Sequence, residues 1–445
     1  MSISRRQAIL TTLFGTGAIG LRALATGLPA SLLLSPRRAL ADMPLTCKDA
    51  SKAQFVILST SGNGDPINAS VPGTYEDPAI VHSPDPGMAP TPITINGQQY
   101  TAAMPWSTLP ADALSRTVFW HLMTNTPVHP KEGDVLRLMG ATAQSEMLPS
   151  VLAKQLAPCL NTIQSQPISL GAAGPSEGLS FGGQALPLIP PVALKTTLTN
   201  PTTGAYAMIT QLQSLRDQTM NQLYELYKNG ATPAQRAYVD SMVTSQAQVR
   251  SIKQSLLDML SAIKDNSVAS QITAALALIQ MNVSPVIAIH IPFGGDNHSD
   301  TGLNKESTET ISGVAAIGSL WQQLQSAGLQ DKVTFMSLNV FGRTLKTNGG
   351  SNTNANNGRT HNQNHQVSIT IGKAFKGGVI GSCVQVHGDY GASSIDSKSG
   401  AGSTSGDITA IDSLAAFGQT MLASVGGDPS VITAPTAKVI ASALA

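Results

Sequence analysis

The sequence predicts an α/β protein with a mainly parallel sheet and an inserted helical segment over about residues 205–280. Short apolar runs at Gln54–Leu58 and Val286–Ile291 have the composition of strands that are buried on both faces of such a sheet. From Val286 onward the chain alternates strand, helix and strand, which is the order of a parallel crossover unit. Apolar residues at helical spacing dominate the inserted segment.

The amino-terminal part alternates strands with long stretches that are rich in Pro and Gly. The first strand, Gln54–Leu58, ends in the polar turn Ser61–Asp65. A second strand is expected at Thr117–Leu122, and a short helix at Pro149–Leu156.

The segment from 205 to 280 is expected to contain three helices. Lys228-Asn229-Gly230 is a stop signal for the first helix, and Thr232-Pro233 supplies an N-cap and a first-turn proline for the second. The third is expected to start at Ser267. Apolar stripes of this kind usually mark a packed face, so we expect a helical insertion without chemistry of its own.

The carboxyl-terminal part completes the sheet. A helix over about 308–327 is expected to follow Val286–Ile291 and to lead into a strand at Val333–Leu338. An Asn- and Gly-rich loop then precedes a strand at Val367–Ile371, and the last helix is expected over about 408–424.

Composition and charge exclude several classes of protein. With 445 residues, 42% apolar and only 12% charged, the chain is neither disordered nor a coiled coil, and we expect one domain over residues 42–445. The first 41 residues hold five basic and no acidic side chains, so the remainder carries 22 basic against 26 acidic side chains, a formal charge of −4. Such a surface offers no footprint for nucleic acid or an anionic membrane. We also expect no nucleotide cofactor.

The first 41 residues resemble a twin-arginine (Tat) export signal. Arg5-Arg6 precedes a weakly apolar run over residues 9–34, and Ala39-Leu40-Ala41 is a small-residue cleavage site. Position 8 is Ala where Tat signals usually carry Phe, and an uncleaved anchor is the alternative. We expect cleavage after Ala41, a periplasmic or extracellular location, and no membrane span in the mature protein.

Three cysteines remain after this cleavage: Cys47, Cys159 and Cys383. An odd number allows at most one disulfide and leaves one thiol over. Their wide separation along the chain gives no metal-binding cysteine motif.

Polar side chains that can bind a ligand follow three of the predicted strands. They are Asp65 after the first, Asp296 and His298 after the second, and Arg343, His361 and His365 after the third. Each has a simpler interpretation as a turn or cap residue. Open parallel sheets bind ligands at the carboxyl edge of their strands, so the shared placement favours one common site.

The residue types at this edge point to a metal ion. Two carboxylates with one or two imidazoles form a mixed oxygen and nitrogen set that suits Zn²⁺, Mn²⁺ or Fe. The segment Asp296–Asp300 also has part of a calcium-loop pattern, without its glycine at the sixth position. The sequence therefore predicts a divalent metal, with zinc, manganese and calcium as the candidates.

Several short motifs run through the chain in a distinctive order. They are Gly62-Asn63-Gly64-Asp65-Pro66-Ile67-Asn68, Gly294-Gly295-Asp296-Asn297-His298, Phe341-Gly342-Arg343-Thr344, Gly358-Arg359-Thr360-His361 and Lys376-Gly377-Gly378-Val379-Ile380-Gly381. This ordered set resembles that of a family of Tat-exported bacterial proteins, the domain of unknown function 1501. The resemblance runs from about residue 54 to the carboxyl terminus, and residues 195–280 match poorly.

That family is distantly similar to the alkaline phosphatases and sulfatases, which hydrolyse phosphate or sulfate esters at a two-metal site. The resemblance implies an alkaline-phosphatase-like α/β/α sandwich. It also implies that Asp65 is a metal ligand from the first strand, that Asp296 and His298 hold the other metal, and that His361 completes the set.

Two departures from the family pattern affect the expected metal site. Val340 stands where the family usually has Glu, and Thr360 stands where it usually has Asp. A two-metal site that lacks a carboxylate is expected to hold one metal or none.

The resemblance also requires a nucleophile at a helix start near the first metal. Thr126 is the best-placed candidate by chain order, with His129 nearby. Pro127 and Pro130 fit an extended loop as readily as a helix start, so both interpretations of this segment stay open.

Two functions follow from these expectations. The first is an exported metal-dependent hydrolase of phosphate or sulfate esters. The second is a catalytically silent binding or structural protein of the cell envelope, with the same fold and an unidentified small-molecule or surface partner. The four expected metal ligands favour the first function, while the two lost carboxylates favour the second.

Overall fold

A seven-stranded sheet lies at the centre of the computed structural model, which describes residues 47–162, 164–171, 178–199, 254–346 and 358–445 and four single positions between 199 and 254. The strands are β1 (Phe55–Ser61), β2 (Thr117–Leu122), β3 (Ile168–Ser169), β4 (Val286–Ile289), β5 (Val333–Asn339), β6 (Gln366–Ile371) and β7 (Gly378–Ile380). Their order across the sheet is β7-β2-β6-β5-β1-β4-β3. The predicted signal, residues 1–41, lies outside the described residues.

The sheet is mostly parallel, as the sequence predicts. Strand β1 pairs in parallel with both β4 and β5, so the three strongest apolar runs are neighbours at its centre. Every residue of these three strands is buried, which explains why they read as continuous apolar runs instead of alternating ones. Only β6 runs antiparallel to its neighbours, β2 and β5.

Helices cover both faces of this sheet. The described helices are α1 (Ala111–Leu114), α2 (Glu132–Leu136), α3 (Leu148–Leu160), α4 (Pro191–Thr199), α5 (Gln254–Ser261), α6 (Val268–Gln280), α7 (Asn304–Ser326) and α8 (Ser413–Ser424). Helices α4 to α7 pack with Ile57 and Ile287 on one face. Helices α3 and α8 pack with Val56 and Val286 on the other. The result is a layered α/β arrangement with two separate apolar cores.

Among the described residues, four two-stranded ribbons lie outside the main sheet. They pair Pro90–Ile95 with Gln98–Ala103, Ser180–Phe181 with Gln184–Ala185, Gly342–Arg343 with His361–Asn362, and Cys383–Val386 with Asp389–Ala392. The third ribbon matters most for function, because it places Arg343 directly opposite His361.

Helix boundaries differ more from expectation than strand positions do. Helix α7 begins at Asn304, ahead of the expected start, because the Asp300 carboxylate accepts the N–H groups of Lys305 and Glu306. Helix α8 begins at Ser413, because Ile408 is first held in a β-bridge with Ile395.

The predicted helical insertion is seen only in part. Helices α5 and α6 fall within it, and Ser267 is the N-cap of α6 as expected. Most of residues 200–253 lies outside the described residues, and with it the first predicted helix and most of the second, of which α5 is the carboxyl-terminal part. Among the helices that the structure describes, none is long and apolar enough to cross a membrane.

One disulfide joins the start of the described chain to helix α3. Cys47 bonds Cys159 and closes a loop with a sequence separation of 112 residues. Cys383 is a free, partly buried thiol. Burial raises the pKa of the Cys383 thiol, and the neighbouring Asp389 adds to this effect, so the group is an unreactive thiol at neutral pH.

Candidate metal centre

Chain segments from five strands meet at one edge of the sheet. The parallel strands β1, β4 and β5 lead at their carboxyl ends to Asp65, Asp296 and Arg343. Strand β2 points the same way and leads to His129, while the antiparallel β6 begins at this edge and is preceded by His361. The sheet topology therefore gathers residues that are far apart in sequence.

A group of three side chains at this edge can hold a metal ion. One ligand atom from each of His129, Asp296 and His361 lies within 4.8 Å of the other two. The His298 imidazole adjoins the group, with its Nε2 atom 2.8 Å from Nε2 of His361 and 3.4 Å from Oδ1 of Asp296. The cluster is open to solvent, since the Asp296 and His298 side chains are 47% and 43% exposed.

Backbone carbonyls orient two of these imidazoles. Nδ1 of His129 lies 2.8 Å from the carbonyl oxygen of Gly62, and Nδ1 of His361 contacts the carbonyl oxygen of Pro127. A carbonyl can only accept, so in both rings Nδ1 carries a proton. Nε2 of each ring then faces the cluster, where Nε2 of His361 meets Nε2 of His298. This is the usual arrangement of a histidine that binds a metal through Nε2.

Ligand atoms also face one another inside the cluster. Nε2 of His129 lies 3.6 Å from Oδ2 of Asp296, and Nε2 of His298 lies 3.4 Å from Oδ1 of the same carboxylate. A carboxylate grouped with imidazole nitrogens in this way is a ligand set that suits a divalent cation. The arrangement therefore fits a cation.

Arg343 fixes the carboxylate of the cluster. Its Nη2 atom donates to Oδ1 of Asp296 at 3.1 Å and to the carbonyl oxygen of Asn63, and its Nε donates to the carbonyl oxygen of Gly64. Partial burial raises the pKa of Asp296, but the attraction of Arg343, followed by that of His298 and His129, outweighs it and leaves the pKa lowered. The carboxylate is therefore ionised at neutral pH.

The imidazoles next to Arg343 are neutral at pH 7. Burial lowers the pKa of His361 to about 4, and the positive charge of Arg343 acts in the same direction. The pKa of His298 is also lowered, first by burial and then by Arg343. Neutral imidazole is the form that binds metal ions.

Phe341 forms the floor of the cluster. Its ring centroid lies 4.3 Å from that of His361 and 4.9 Å from that of His129, and the Arg343 guanidinium carbon lies 5.4 Å from it. The ring is fully buried. It gives the imidazoles a rigid apolar support, which limits the positions that they can adopt.

Asp65 lies apart from the three-residue group. Its side chain is 1% exposed, and neither carboxylate oxygen accepts a hydrogen bond of normal geometry from the described residues. Burial raises the pKa of Asp65, while His290 and the nearby Ser61 hydroxyl lower it. The structure thus brings Asp296, His298 and His361 together, and Asp65 is not part of the group of His129, Asp296 and His361 whose ligand atoms lie within 4.8 Å of one another.

His365 faces the protein interior instead of the cluster. It is fully buried, with Nε2 2.8 Å from Nδ1 of His121 and Nδ1 3.2 Å from the amide nitrogen of Asn68. The Asn68 side chain also bonds both the backbone N–H and the carbonyl of Arg343. His365 therefore supports Arg343 from behind through Asn68.

Thr126 lies in an extended segment, and the following 3₁₀ turn begins only at His129. Its side chain is 5% exposed, and its hydroxyl accepts the N–H of Val128 at 3.4 Å. Of the two interpretations of this segment, the structure favours the loop.

Two side chains of the calcium-loop pattern Asp296–Asp300 form hydrogen bonds with helix α7. The Asp300 carboxylate caps helix α7, and the Asn297 amide donates to Oε2 of Glu306 at 3.1 Å. Imidazoles thus supply most of the ligand atoms of the cluster.

His129 was not predicted as a ligand from the sequence, where it appears only as a neighbour of Thr126. The rule that identified the other candidates, namely that ligands follow the carboxyl ends of the strands, applies to His129 as well. It follows Thr117–Leu122, a predicted strand whose carboxyl end lies at the same edge.

Comparison with protein families agrees with the order of the sequence motifs. A family model described as "Protein of unknown function (DUF1501)" matches residues 178–397. The matched part contains Asp296, His298, Arg343 and His361, while Asp65 and His129 precede it. A comparison with curated proteins finds no match.

Proposed function

We propose that this protein binds one divalent transition-metal ion through His129, Asp296 and His361, and that it is an exported hydrolase of phosphate or sulfate esters. The observation that supports the proposal most is the convergence of these three ligand atoms within 4.8 Å. The residues come from three distant chain segments. Without a cation, folding gains little by directing their lone pairs to one point.

The composition of the site indicates which ion it takes. The two imidazoles and one carboxylate of this group, with the His298 imidazole beside them, suit zinc and similar borderline ions, whereas calcium and manganese prefer oxygen ligands. Val340 is fully buried in an apolar core and Thr360 offers no carboxylate, so a second metal of the family type has lost two ligands. We therefore propose a single ion.

A bound metal at this position would polarise an ester oxygen and lower the pKa of a coordinated water. The chain supplies the remaining roles. Arg343 keeps Asp296 ionised and in place, the carbonyls of Gly62 and Pro127 fix the imidazole tautomers, and Phe341 shields the cluster from below. The exposed sides of Asp296 and His298 leave an approach for substrate.

The second candidate function is metal-dependent binding without turnover. It is favoured by the state of the candidate nucleophile, because the Thr126 hydroxyl is buried and accepts a backbone N–H. The Arg343 guanidinium is likewise fully buried, and its contacts are with protein atoms rather than with solvent.

Export is also part of the proposal. We propose that the twin-arginine segment directs the chain to the periplasm or the extracellular space and is removed after Ala41. The Cys47–Cys159 disulfide supports this, since such bonds persist in oxidising compartments. Cys47 lies just beyond the proposed cleavage site, so the bond would anchor the mature amino terminus.

Metal binding by the purified mature protein tests the proposal directly. We expect elemental analysis to give one zinc per chain. In calorimetric titration, His129→Ala, Asp296→Ala and His361→Ala should each weaken zinc binding at least tenfold, because each removes a ligand. The exposed His387 lies in a hairpin turn, and His387→Ala is the matched control that should bind as the wild type does.

The same samples separate the two functions. Turnover of an aryl phosphate or aryl sulfate that disappears in Asp296→Ala supports hydrolysis. Metal binding without turnover supports the binding protein. No metal in the wild type, or equal affinity in all four variants, would remove the proposed site.

A further inference from the structure

A buried ion pair lies behind the candidate metal centre. Glu306, in the first turn of α7, is 1% exposed, and Arg359 is fully buried. Nε of Arg359 donates to Oε2 of Glu306 at 2.7 Å, and Nη2 donates to Oε1 at 3.1 Å. The pair is therefore bidentate, which is the strongest geometry for these two groups.

The pair is bonded to both chain segments that carry the ligands. On one side, the Asn297 amide donates to Oε2 of Glu306, and Asn297 is the residue between Asp296 and His298. On the other side, Arg359 lies two residues before His361. Its Nη1 atom donates to the carbonyl oxygen of Thr344, one residue beyond Arg343.

The two backbones also meet directly at this point. The N–H of Arg359 donates to the carbonyl oxygen of Asn297 at 3.3 Å. A Cβ atom on Gly358 would lie 2.2 Å from that oxygen and 2.5 Å from the carbonyl oxygen of His298. Only glycine allows so close an approach, and Gly358 also has a positive φ of 68°.

A charge pair in this position is costly for stability alone. Removing two ions from water is costly, and apolar side chains of similar volume often replace buried pairs without loss of stability. A role in fixing the geometry of the two ligand segments accounts for the bonds that the pair makes to Asn297 and Thr344.

We infer that Glu306 and Arg359 are positioning residues that hold the Asp296–His298 and His361 segments at the separation that metal binding requires. This inference rests on the proposed metal site and names residues that do not contact the ion. Residues that orient metal ligands from behind typically change metal affinity by about 10–100-fold when replaced.

The experiment compares stability with metal affinity. The double variant Glu306→Leu/Arg359→Met removes both charges and leaves apolar side chains of similar length, so we expect it to lose less stability than either single substitution, which would leave one buried charge unpaired. Its zinc affinity should fall at least tenfold in a chelator competition. Its cobalt(II) complex should show an altered absorption spectrum, which reports on ligand geometry and is not moved by a change in stability alone.

Two further variants keep the test decisive. Arg359→Lys retains the charge but lacks the planar guanidinium fork that bonds both Glu306 oxygens and the Thr344 carbonyl, so it should also weaken zinc binding. Leu422→Ala opens a cavity in the core on the opposite face of the sheet and serves as the matched control. It should lower the free energy of unfolding and leave the zinc affinity and the cobalt spectrum unchanged.

The outcomes distinguish this inference from the proposed function. A wild type that binds zinc, together with double and lysine variants of equal affinity and unchanged cobalt spectrum, would overturn the positioning role alone. If the double variant fails to fold, Arg359→Lys with wild-type affinity overturns it as well. A wild type that binds neither zinc nor cobalt would overturn both.

Discussion

Gly64 shows how one small residue shapes the candidate centre. It has a positive φ of 64°, and a Cβ atom placed on it would lie 1.9 Å from the Phe341 ring. Phe341 in turn supports the His129 and His361 rings. The absence of a side chain at position 64 therefore lets the aromatic floor approach the turn after β1.

Gly64→Ala is predicted to lower the free energy of unfolding by about 2–4 kcal/mol, from the cost of a left-handed alanine and from overpacking against Phe341. Because the displaced ring moves the imidazoles, zinc affinity should fall too. Urea unfolding and calorimetric titration measure the two effects.

Gly97→Ala is the control for the backbone component. Gly97 also has a positive φ, of 79°, but a Cβ atom there meets nothing within 4 Å. We expect a loss of only about 1 kcal/mol and unchanged zinc affinity. Equal effects of the two substitutions would show that the contact between Gly64 and Phe341 is not important.

The positions of the site residues could be predicted where the residues follow the end of a strand. They could not be predicted where the direction of the side chain decides whether a residue faces the site or the interior. Asp296 and His361 follow from the carboxyl-edge rule, although His361 reaches that edge because β6 is antiparallel. The sequence does not reveal that Asp65 is buried or that His365 faces inward. Those outcomes depend on packing against segments more than two hundred residues away.

At the scale of elements, a pair of buried histidines joins β2 to the start of β6. Nε2 of His121 lies 2.9 Å from the carbonyl oxygen of Pro72, so it carries the proton, and Nδ1 of His121 accepts from Nε2 of His365. Nδ1 of His365 then accepts from the Asn68 amide. Every donor meets an acceptor only while both rings are neutral.

This network predicts a loss of stability in acid. Burial lowers the pKa of His121 to about 4 and the pKa of His365 well below its ordinary value. The unfolded chain takes up protons near pH 6.5, before the folded protein does. The stability that the neutral rings contribute to the folded state is therefore complete above pH 6.5 and is lost as the pH falls toward 4. For His121 the loss amounts to about 3 kcal/mol.

Unfolding in urea at several pH values between 7 and 4 measures this slope. His121→Gln cannot titrate, so its stability should fall less steeply over that range, whatever its stability at pH 7. His387→Gln replaces an exposed histidine and should keep the wild-type slope. Identical slopes for all three proteins would contradict the assignment of neutral rings.

Elements differ in how well the sequence predicts them. Strands β1, β4 and β5 were predictable because burial on both faces leaves long apolar runs. The antiparallel direction of β6 could not be predicted, because the direction of a strand depends on the path of the preceding connection and not on the composition of the strand. Helix starts depended on caps such as Asp300, several residues ahead of the apolar pattern.

At the scale of the whole molecule, the disulfide connects the fold to its proposed route out of the cell. Cys47 is tied to the end of α3 across a separation of 112 residues, while Cys383 stays a thiol. In the chain-entropy account, closing a loop of this size stabilises the folded state by about 2–5 kcal/mol. Such bonds persist in oxidising surroundings and are rare in the cytosol.

Changing both Arg5 and Arg6 to Lys is predicted to keep the precursor in the cytoplasm with Cys47 and Cys159 reduced. Thiol titration of the denatured protein without reductant should then give three thiols per chain, against one for the exported wild type, and the retained protein should unfold at lower urea concentration. Arg37→Lys with Arg38→Lys changes a second arginine pair in the same segment and is the matched control, which should be exported and oxidised normally. If the Arg5 and Arg6 variant were found in the envelope with one thiol per chain, the twin-arginine route would be ruled out. If the variant stayed in the cytoplasm with the disulfide formed, export would not be required for oxidation of Cys47 and Cys159.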